Sequence, residues 1–269
     1  MKPDRKEEEM RPYLSVIIPA YNEEKRISKT LESVYTYLTA QPFTWELLVV
    51  LDGVTDKTLD VVLAFAKNKE GIRWIDRPEN RGKGYTIRQG MLAARGEIRL
   101  FTDADNSTDM SHFDQMKPFF DRGANVVICS RDAKDAAGAR QDIPQPLFKR
   151  VLGNAGNLFV QMVAVPGIWD TQCGFKAFRA AAAEKIFSLS RIERFGFDME
   201  ALALARRFGY EIIVIGAHWV DEPNTHVTPW DYFRSLMEAV KVRWYLLTGG
   251  YNHAPLDTGE PRPAPVEEL

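Results

Sequence analysis

The stretch that decides the fold reads Arg99-Leu100-Phe101-Thr102-Asp103-Ala104-Asp105, a short apolar run ending in two aspartates with one residue between them. Side chains alternate between the faces of a strand, so Asp103 and Asp105 point the same way if the extended conformation continues that far. Neighbouring carboxylates repel each other unless a cation lies between them. Carboxylate oxygens suit Mg²⁺ or Mn²⁺, often together with substrate phosphates. The stretch therefore predicts a metal site for a diphosphate; the alternative is a solvated acidic turn.

Strand-like and helix-like segments alternate on both sides of this stretch. Strands are predicted at 13–18, 45–51, 72–75, 98–102 and 125–130. Helices are predicted between them, because apolar residues such as Ile27, Leu31, Val34 and Leu38 recur at helical spacing. This alternation predicts an α/β fold with a mainly parallel central sheet and helices on both faces.

The second half of the chain is less regular. Helices are predicted at 180–187, 198–208 and 229–247, and strands at 212–215 and 217–220. Residues 132–145 are polar and contain Gly and Pro, which predicts a mobile loop, whereas 146–165 carry an apolar stripe for packing or for a groove. The predicted division is a flexible tail at 1–12, a single domain at 13–251 and a disordered tail at 252–269.

The composition excludes several classes of protein. The 269 residues are 45% hydrophobic and 27% charged, as in a soluble globular protein, and the net charge of -2 gives no sign of nucleic-acid binding. Cys129 and Cys173 predict neither a disulfide framework nor a zinc site, and they favour a reducing compartment. We expect no membrane-spanning helix, because no apolar run reaches about 18 residues, and no signal peptide, because 1–11 is charged.

Polar side chains follow four of the predicted strands. Glu23 follows the first strand, Asp52 the second, Asp103 and Asp105 the fourth, and Arg131 the fifth. Ligands of parallel sheets bind beyond the carboxyl ends of the strands. We therefore expect these side chains to converge on one site. The alternative, that strand ends simply carry turn residues, explains Asp52 and the glycine after it well, but it explains Arg131 and the basic turn at 81–83 less well.

Motifs in five places suggest a family. They are 16–24 (VIIPAYNEE), 77–83 (RPENRGK), 103–105 (DAD), 170–176 (DTQCGFK) and 192–200 (IERFGFDME). The sequence resembles the family 2 glycosyltransferases of the GT-A fold, a Rossmann-like nucleotide-diphospho-sugar transferase fold. The last two motifs are most similar to the dolichyl-phosphate β-glucosyltransferases, next to the polyprenyl-phosphate mannosyltransferases. The resemblance covers roughly 13–251.

The resemblance implies a reaction and a cofactor. Glucose would pass from UDP-glucose to a polyprenyl or dolichyl phosphate, with inversion at the sugar carbon and with Mg²⁺ or Mn²⁺. Three alternatives stay open: GDP-mannose as the donor, a water-soluble acceptor, and a nucleotide-sugar-binding protein without turnover. One departure concerns the donor, because Leu51-Asp52-Gly53-Val54 has one acid where the family often has two, and valine where serine is common.

The resemblance also implies residue roles on the donor side. The nucleotide-binding residues would be Pro19, Ala20, Tyr21, Glu23, Asp52, Lys83, Asp103 and Ala104. Within this set Asp52 would bind the base and Lys83 a phosphate. Asp103 would contact the ribose or the metal, and Asp105 would coordinate the metal.

The acceptor side needs positive charge more than it needs a base. A lipid phosphate is already anionic near pH 7, since the second pKa of such groups is about 6. The candidates are Arg131, Arg140, Lys149, Arg150 and Lys176. Arg131 and Lys176 are favoured as ligands of the acceptor phosphate because they flank motifs; the alternative for each is a solvated surface position.

Asp170 and Asp198 complete the candidate catalytic set with Asp103, Asp105 and Arg131. Asp170 orients a basic residue or the sugar hydroxyls, or else it caps the turn that follows it. Asp198 reaches the sugar hydroxyls or serves as a base for a hydroxyl acceptor. Its alternative role is to begin a helix, where a negative charge is favourable.

The predicted helix at 229–247 combines aromatic side chains with Arg234, Lys241 and Arg243. Such a helix fits the surface of a bilayer, and with 146–165 it would form an apolar entrance to the metal site. The alternative is an ordinary helix covering the sheet. The sequence thus predicts a cytoplasmic protein in peripheral contact with a membrane.

Overall fold

We describe the protein from a computed structural model, in which the described residues are 11–141, 147–219, 229–254 and 267–268. The strands are β1 (Leu14–Ala20), β2 (Trp45–Asp52), β3 (Ile72–Arg77), β4 (Ile98–Thr102), β5 (Val126–Ser130), β6 (Arg140–Gln141), β7 (Phe175–Arg179), β8 (Ile212–Gly216), β9 (His218–Trp219) and β10 (Glu267–Glu268). The helices are α1 (Ile27–Thr39), α2 (Thr58–Ala66), α3 (Lys83–Ala93), α4 (His112–Asp121), α5 (Leu147–Val163), α6 (Ala180–Phe187), α7 (Phe197–Arg207) and α8 (Pro229–Thr248).

One sheet organises these elements, with the strand order β10-β3-β2-β1-β4-β7-β5-β8. Strands β3, β2, β1 and β4 are mutually parallel, and β8 is parallel to β5. Strand β7 lies antiparallel between β4 and β5, and the two-residue β10 is antiparallel to β3. The predicted α/β class with a mainly parallel sheet is confirmed; the antiparallel insertion of β7 was not predicted.

Helices cover both faces of the sheet, as predicted. One core cluster joins the sheet to α3, α6, α7 and α8, and a second joins it to α1, α2 and α4. Strands covered on both faces are apolar throughout rather than alternating, which is why β1 and β2 are almost entirely buried. Helix α3 packs closely on the sheet, because a Cβ at Gly90 would lie 2.4 Å from Cγ2 of Ile17.

Two short strands lie in segments that were predicted to be a loop and a tail. Residues 140–141, within the predicted mobile loop, form β6 and pair in parallel with β9, which gives their backbone groups partners. Glu267–Glu268, in the predicted disordered tail, pair with the edge strand β3. The predictions for 1–10, 142–146, 220–228, 255–266 and 269 lie outside the described residues. Within the described part of the chain, no helix has the length and apolar character needed to cross a bilayer.

Candidate active site

Asp103 follows β4 directly and forms an ion pair with Lys83, the first residue of α3, with 2.5 Å between Nζ and Oδ1. Both side chains are partly exposed, 27% for Lys83 and 30% for Asp103. Burial lowers the pKa of Lys83, but the carboxylates of Asp103, Asp198 and Asp105 together raise it above its ordinary value. The ammonium group therefore stays charged among three acids at the edge of the sheet.

Asp105 does not continue the strand. Its Oδ1 accepts a hydrogen bond from the Ser107 amide at 3.0 Å, and Asn106 has a φ of 58°. A side chain that bonds its own backbone in this way competes with the extended conformation. The premise that Asp103 and Asp105 share one strand face is therefore wrong. Both carboxylates nevertheless act on the same ammonium group of Lys83.

Ala104, between the two aspartates, is held by the first helix. The Thr30 hydroxyl of α1 donates a hydrogen bond of 2.6 Å to the Ala104 carbonyl. Ala104 itself is buried. The acidic turn is therefore fixed from outside the strand that precedes it.

Gly174 closes the site over Asp103. A Cβ at this glycine would lie only 2.0 Å from Oδ2 of Asp103, so no larger residue fits without moving the carboxylate. The turn reaches this position because β7 begins directly after it, with Phe175 opposite Thr102 at the end of β4. Gly174 therefore places the motif at 170–176 in contact with Asp103.

Lys176 lies beneath this surface. Its ammonium group is 0% exposed and donates to Oδ1 of Asp198 at 2.6 Å and to the Cys173 carbonyl at 2.5 Å. Burial raises the pKa of the Asp198 carboxyl despite the neighbouring ammonium groups of Lys176 and Lys83. In this geometry Lys176 offers no open position to an acceptor phosphate, contrary to the sequence-based expectation, because a central strand of the sheet carries it inward.

Arg131, by contrast, stays partly exposed and is fixed by Asp170. Its Nε and Nη2 donate to the two carboxylate oxygens at 2.7 and 2.9 Å, and its own amide donates to Oδ2 at 2.9 Å. Burial opposes ionisation of Asp170, but this guanidinium outweighs it and lowers the pKa of Asp170 to about 2. The Asp135 carboxylate accepts hydrogen bonds from the Trp169 and Asp170 amides. Asp170 thus orients a basic residue, one of the roles predicted for it.

The predicted nucleotide residues after β1 have different surroundings. Pro19 and Ala20 are buried at the end of the strand, whereas Tyr21 is exposed. Both carboxylate oxygens of Glu23 accept hydrogen bonds of 2.7 Å from Arg26. Of these residues, Tyr21 alone presents a large exposed surface for a ligand.

Asp52 fixes the basic glycine turn. Its Oδ1 accepts hydrogen bonds from the Arg81 amide at 3.0 Å and from Nη1 of Arg77 at 3.1 Å, and its Oδ2 accepts one from the Gly82 amide at 2.8 Å. Both oxygens are therefore engaged in shaping the turn that leads into Lys83. The assignment of Asp52 to the base stays a prediction.

Residues 192–196, for which no role was predicted, lie against the glycine turn. Arg81 forms an ion pair with Glu193, and the Tyr85 amide donates to the Glu193 carbonyl at 3.1 Å. A Cβ at Gly84 would lie 2.5 Å from the Ile192 carbonyl oxygen. The motif at 192–200 was the available signal, but its pattern did not indicate this contact.

Two hydrogen bonds join α8 to the site. Nε2 of Gln172 donates to the Ser235 hydroxyl at 2.7 Å, and the Gly196 amide donates to Oε2 of Glu238 at 2.7 Å. Gly196 also fits closely, because its Cβ would lie 2.6 Å from Cβ of Glu238. The inner face of α8 therefore holds two segments that line the site.

Glu200 anchors the same region from below. It accepts hydrogen bonds from the Arg191 and Ile192 amides at 2.8 and 3.0 Å and from the Tyr251 hydroxyl at 2.8 Å. Burial raises the pKa of Glu200 to about 7. The carboxyl connects α7, the segment before it and the turn that follows α8.

The donor set fits a divalent metal that is completed by a substrate. Among the described residues, no group of three or more His, Cys, Asp or Glu side chains forms a metal cage. Asp103 and Asp105 instead supply hard carboxylate oxygens at an open edge. Magnesium sites of this kind use one or two carboxylates, waters and the phosphates of the substrate. The residues therefore fit Mg²⁺ or Mn²⁺ bound together with a diphosphate.

Comparisons with known proteins agree with this architecture. A family model described as Glycosyl transferase family 2 matches residues 15–187. A dolichyl-phosphate beta-glucosyltransferase from Trichomonas vaginalis is 36% identical over 77% of this chain, which spans 65% of that relative. The enzyme of the same name from Drosophila melanogaster is 34% identical over 92% of this chain and 79% of its own.

A solved structure supports the fold. Glucosyl-3-phosphoglycerate synthase from Mycobacterium tuberculosis, in complex with Mn²⁺, UDP-glucose and phosphoglyceric acid, is similar over 95% of this chain and 85% of its own. The TM-score is 0.60 at 18% sequence identity. The likeness lies in the fold.

Proposed function

The chain belongs to glycosyl transferase family 2, and on that premise we propose that it transfers glucose from UDP-glucose to a polyprenyl or dolichyl phosphate. The observation that carries the proposal is the arrangement of charge at the sheet edge. Asp103 and Asp105 surround Lys83, and the partly exposed Arg131 is fixed by Asp170. The donor and the acceptor are both anionic and repel each other, so each needs its own set of positive charges to hold it.

On the donor side, Asp103 and Asp105 would hold Mg²⁺ or Mn²⁺. When bound, the ion offsets the negative charge that develops on the leaving diphosphate. Lys83 adds a second positive charge close to Asp103 and suits a phosphate of the donor. Pro19, Ala20, Tyr21 and Ala104 are proposed to line the nucleotide pocket, where Tyr21 offers the exposed surface.

On the acceptor side, the proposed step is a single displacement. An oxygen of the acceptor phosphate attacks the anomeric carbon, while the bond from that carbon to the diphosphate breaks and UDP leaves with the electron pair. The configuration at the carbon inverts. Arg131 would hold the acceptor phosphate against repulsion from the diphosphate, and Asp170 keeps its guanidinium in place.

Asp198 is not needed as a base in this reaction. A phosphate acceptor near pH 7 already carries the attacking negative charge. The carboxylate of Asp198 is bonded to the buried ammonium group of Lys176 beneath Lys83. We assign it the role of a positioning residue for the floor of the site.

Two residues at the end of β2 bear on the recognition of the donor base. Leu51 is buried where a second acid is common in the family, and Asp52 spends both oxygens on the glycine turn. Neither residue distinguishes uracil from guanine, so GDP-mannose is kept as the alternative donor in the assay below. The membrane-bound nature of the acceptor also makes peripheral contact with the cytoplasmic face of a membrane part of the proposal.

A transfer assay tests the proposal. The protein is incubated with a polyprenyl phosphate and either radiolabelled UDP-glucose or GDP-mannose, with Mg²⁺, Mn²⁺ or EDTA. We expect lipid-linked glucose from UDP-glucose with either metal and none with EDTA. Labelled mannose in the lipid fraction would reassign the donor, and label transferred only to water-soluble compounds would overturn the acceptor.

Asp105 has a matched control. Asp109 makes the same local contact, because its Oδ1 accepts a hydrogen bond from the Ser111 amide two residues later. We expect Asp105→Asn to lower transfer by about a hundredfold or more and Asp109→Asn to leave it almost unchanged. Near-normal turnover in Asp105→Asn would contradict its assignment to the metal.

A further inference from the structure

Exposed apolar side chains are concentrated on two neighbouring helices. Of ten large apolar side chains exposed in the described residues, eight lie on α5 and α8, which pack against each other. The other two are Tyr21 and Leu92. We call these eight residues the α5–α8 apolar surface: Leu158, Met162, Trp230, Phe233, Met237, Val240, Trp244 and Leu247.

The members on α8 form one stripe. Their spacing alternates between three and four residues, which places them on one side of a helix that turns about 100° per residue. Trp230 and Trp244, toward its two ends, are 63% and 64% exposed. The opposite side of α8 is buried through Ser235, Glu238 and Ala239. The helix therefore packs on the domain with one face and presents an apolar face outward.

Basic side chains border this stripe on both sides. At helical spacing, Arg234 and Lys241 fall along one edge and Arg243 along the other. Arg194, two residues before Gly196, adds a further positive charge near Glu238, together with Arg234 and Lys241. Among the α8 side chains that the structure describes, Glu238 is the sole acid, and it is buried against Gly196.

We infer that the α5–α8 apolar surface docks on a bilayer containing anionic lipids, with α8 lying in the plane of the headgroups. Apolar and aromatic side chains between basic edges are the pattern of interfacial helices. The protein as a whole carries a net charge of -2, so the local positive charge is not a general property of its surface. Headgroup phosphates complement the basic edges, and the acyl boundary receives the stripe.

A second copy of the chain fits this surface less well. A symmetric dimer joins the same patch on both subunits, which would bring two sets of basic edges together. Like charges at such a contact oppose association. The charges therefore favour the lipid surface over a copy of the chain.

The docking places the candidate site at the level of the lipid headgroups. The inner face of α8 holds Gln172 and Gly196, and Gln172 lies two residues from both Asp170 and Gly174. This part of the inference rests on the proposed function, because only a lipid acceptor requires the site to face a membrane. Binding to vesicles does not depend on it.

Vesicle co-sedimentation without substrates tests the docking. We compare vesicles of phosphatidylcholine alone with vesicles that also contain phosphatidylglycerol. We expect the full chain to bind the anionic vesicles, and Trp230→Ser/Trp244→Ser to weaken binding about tenfold or more. Lys241→Ser/Arg243→Ser should weaken binding to the anionic vesicles by a similar factor. Leu92→Ser and Lys67→Ser, exposed changes outside α5 and α8, are the matched controls.

Two outcomes would contradict the inference. Unchanged vesicle binding in both double variants would overturn it. So would a wild-type protein that binds no vesicles but forms a dimer that the tryptophan substitutions abolish. Circular dichroism and thermal melting verify that the variants are folded. If the tryptophan double variant is not folded, Met237→Ser/Leu247→Ser takes its place. Transfer to a short, water-soluble prenyl phosphate should survive in the tryptophan variant. Vesicle binding without any transfer in the wild type would reject the proposed function and leave the docking intact.

Discussion

Two lysine–aspartate pairs lie close together in this protein, and their surroundings differ. At the mouth of the site, Lys83 and Asp103 remain about one-third exposed or slightly less, whereas on the floor Lys176 and Asp198 are almost completely buried. Water screens the first pair and stays available to replace either partner. The second pair has no such replacement, so losing one partner leaves a buried charge without compensation.

The difference in exposure suits the first pair to ligand binding and the second to supporting the fold. A ligand phosphate or a metal competes for Lys83 and Asp103 at small cost, because both groups already face the opening. Lys176 and Asp198 instead hold the turn and α7 in place beneath them, through the Cys173 carbonyl and the start of the helix. The same two residue types thus serve binding in one place and architecture in the other.

The largest effect is expected on the floor. Lys176→Met leaves Asp198 buried and unpaired, so the free energy of unfolding should fall by about 3–5 kcal/mol. Urea denaturation of the variant measures the change. Lys176→Met/Asp198→Leu removes both charges and should recover most of the loss. A double variant as unstable as the single one would mean that packing, rather than the unpaired charge, is responsible.

Gly174, which touches the mouth pair, comes next. In Gly174→Ala the new Cβ displaces the partly exposed Asp103 carboxylate, so we expect a large drop in UDP-glucose affinity with a loss of stability of only about 1 kcal/mol. Denaturation and calorimetric titration measure the two changes. Gly138→Ala is the control, because its Cβ meets nothing within 4 Å and only its φ of 84° is unfavourable. An equal loss of affinity in both variants would mean that the effect of Gly174→Ala does not come from the displacement of Asp103.

The Arg131–Asp170 pair lies between these extremes and predicts a pH dependence. Its folded-state pKa of about 2 is below the ordinary value, so the pair stabilises the fold above about pH 4 and loses this contribution as the pH falls toward 2. Asp170→Asn should be less stable than the wild type by about 2 kcal/mol at neutral pH. Acid denaturation curves should converge near pH 2. A constant difference from pH 7 to pH 2 would contradict the shifted pKa.

The smallest change in stability is expected at the mouth. Lys83→Met should alter the free energy of unfolding by about 0–1 kcal/mol, because the pair is partly exposed. Its affinity for UDP-glucose should nevertheless fall by about tenfold or more. Calorimetric titration measures this, with Lys67→Met as the exposed control. A stability loss matching that of Lys176→Met would remove the distinction between mouth and floor.

The sequence predicted the bounds of helices and strands better than it predicted which strands pair with each other. The boundaries of β4 and α6 agree with the prediction, since each is a short segment bounded by clear changes in pattern. The position of β7 between β4 and β5 could not be predicted, because the five residues of a strand do not determine which other strands they pair with. Pairing within a sheet depends on segments far away in the chain.

Two site residues illustrate the same limit. Lys176 was expected to bind the acceptor phosphate because it flanks a motif, but β7 places it opposite Phe101 and Ile128 of the neighbouring strands. The nucleotide contact of Glu23 stays a prediction, whereas its ion pair with Arg26, three residues later in the sequence, was not predicted. That second contact is local and was readable from the spacing alone.

The position of β7 has a consequence during synthesis of the chain. Strands β4 and β5 are neighbours of β7 and not of each other, so both have an unpaired edge while residues 175–179 are still inside the ribosome. Unpaired edges of this kind favour association between nascent chains. A chain stalled before Phe175 should therefore need a chaperone, although most of its sheet has already been translated.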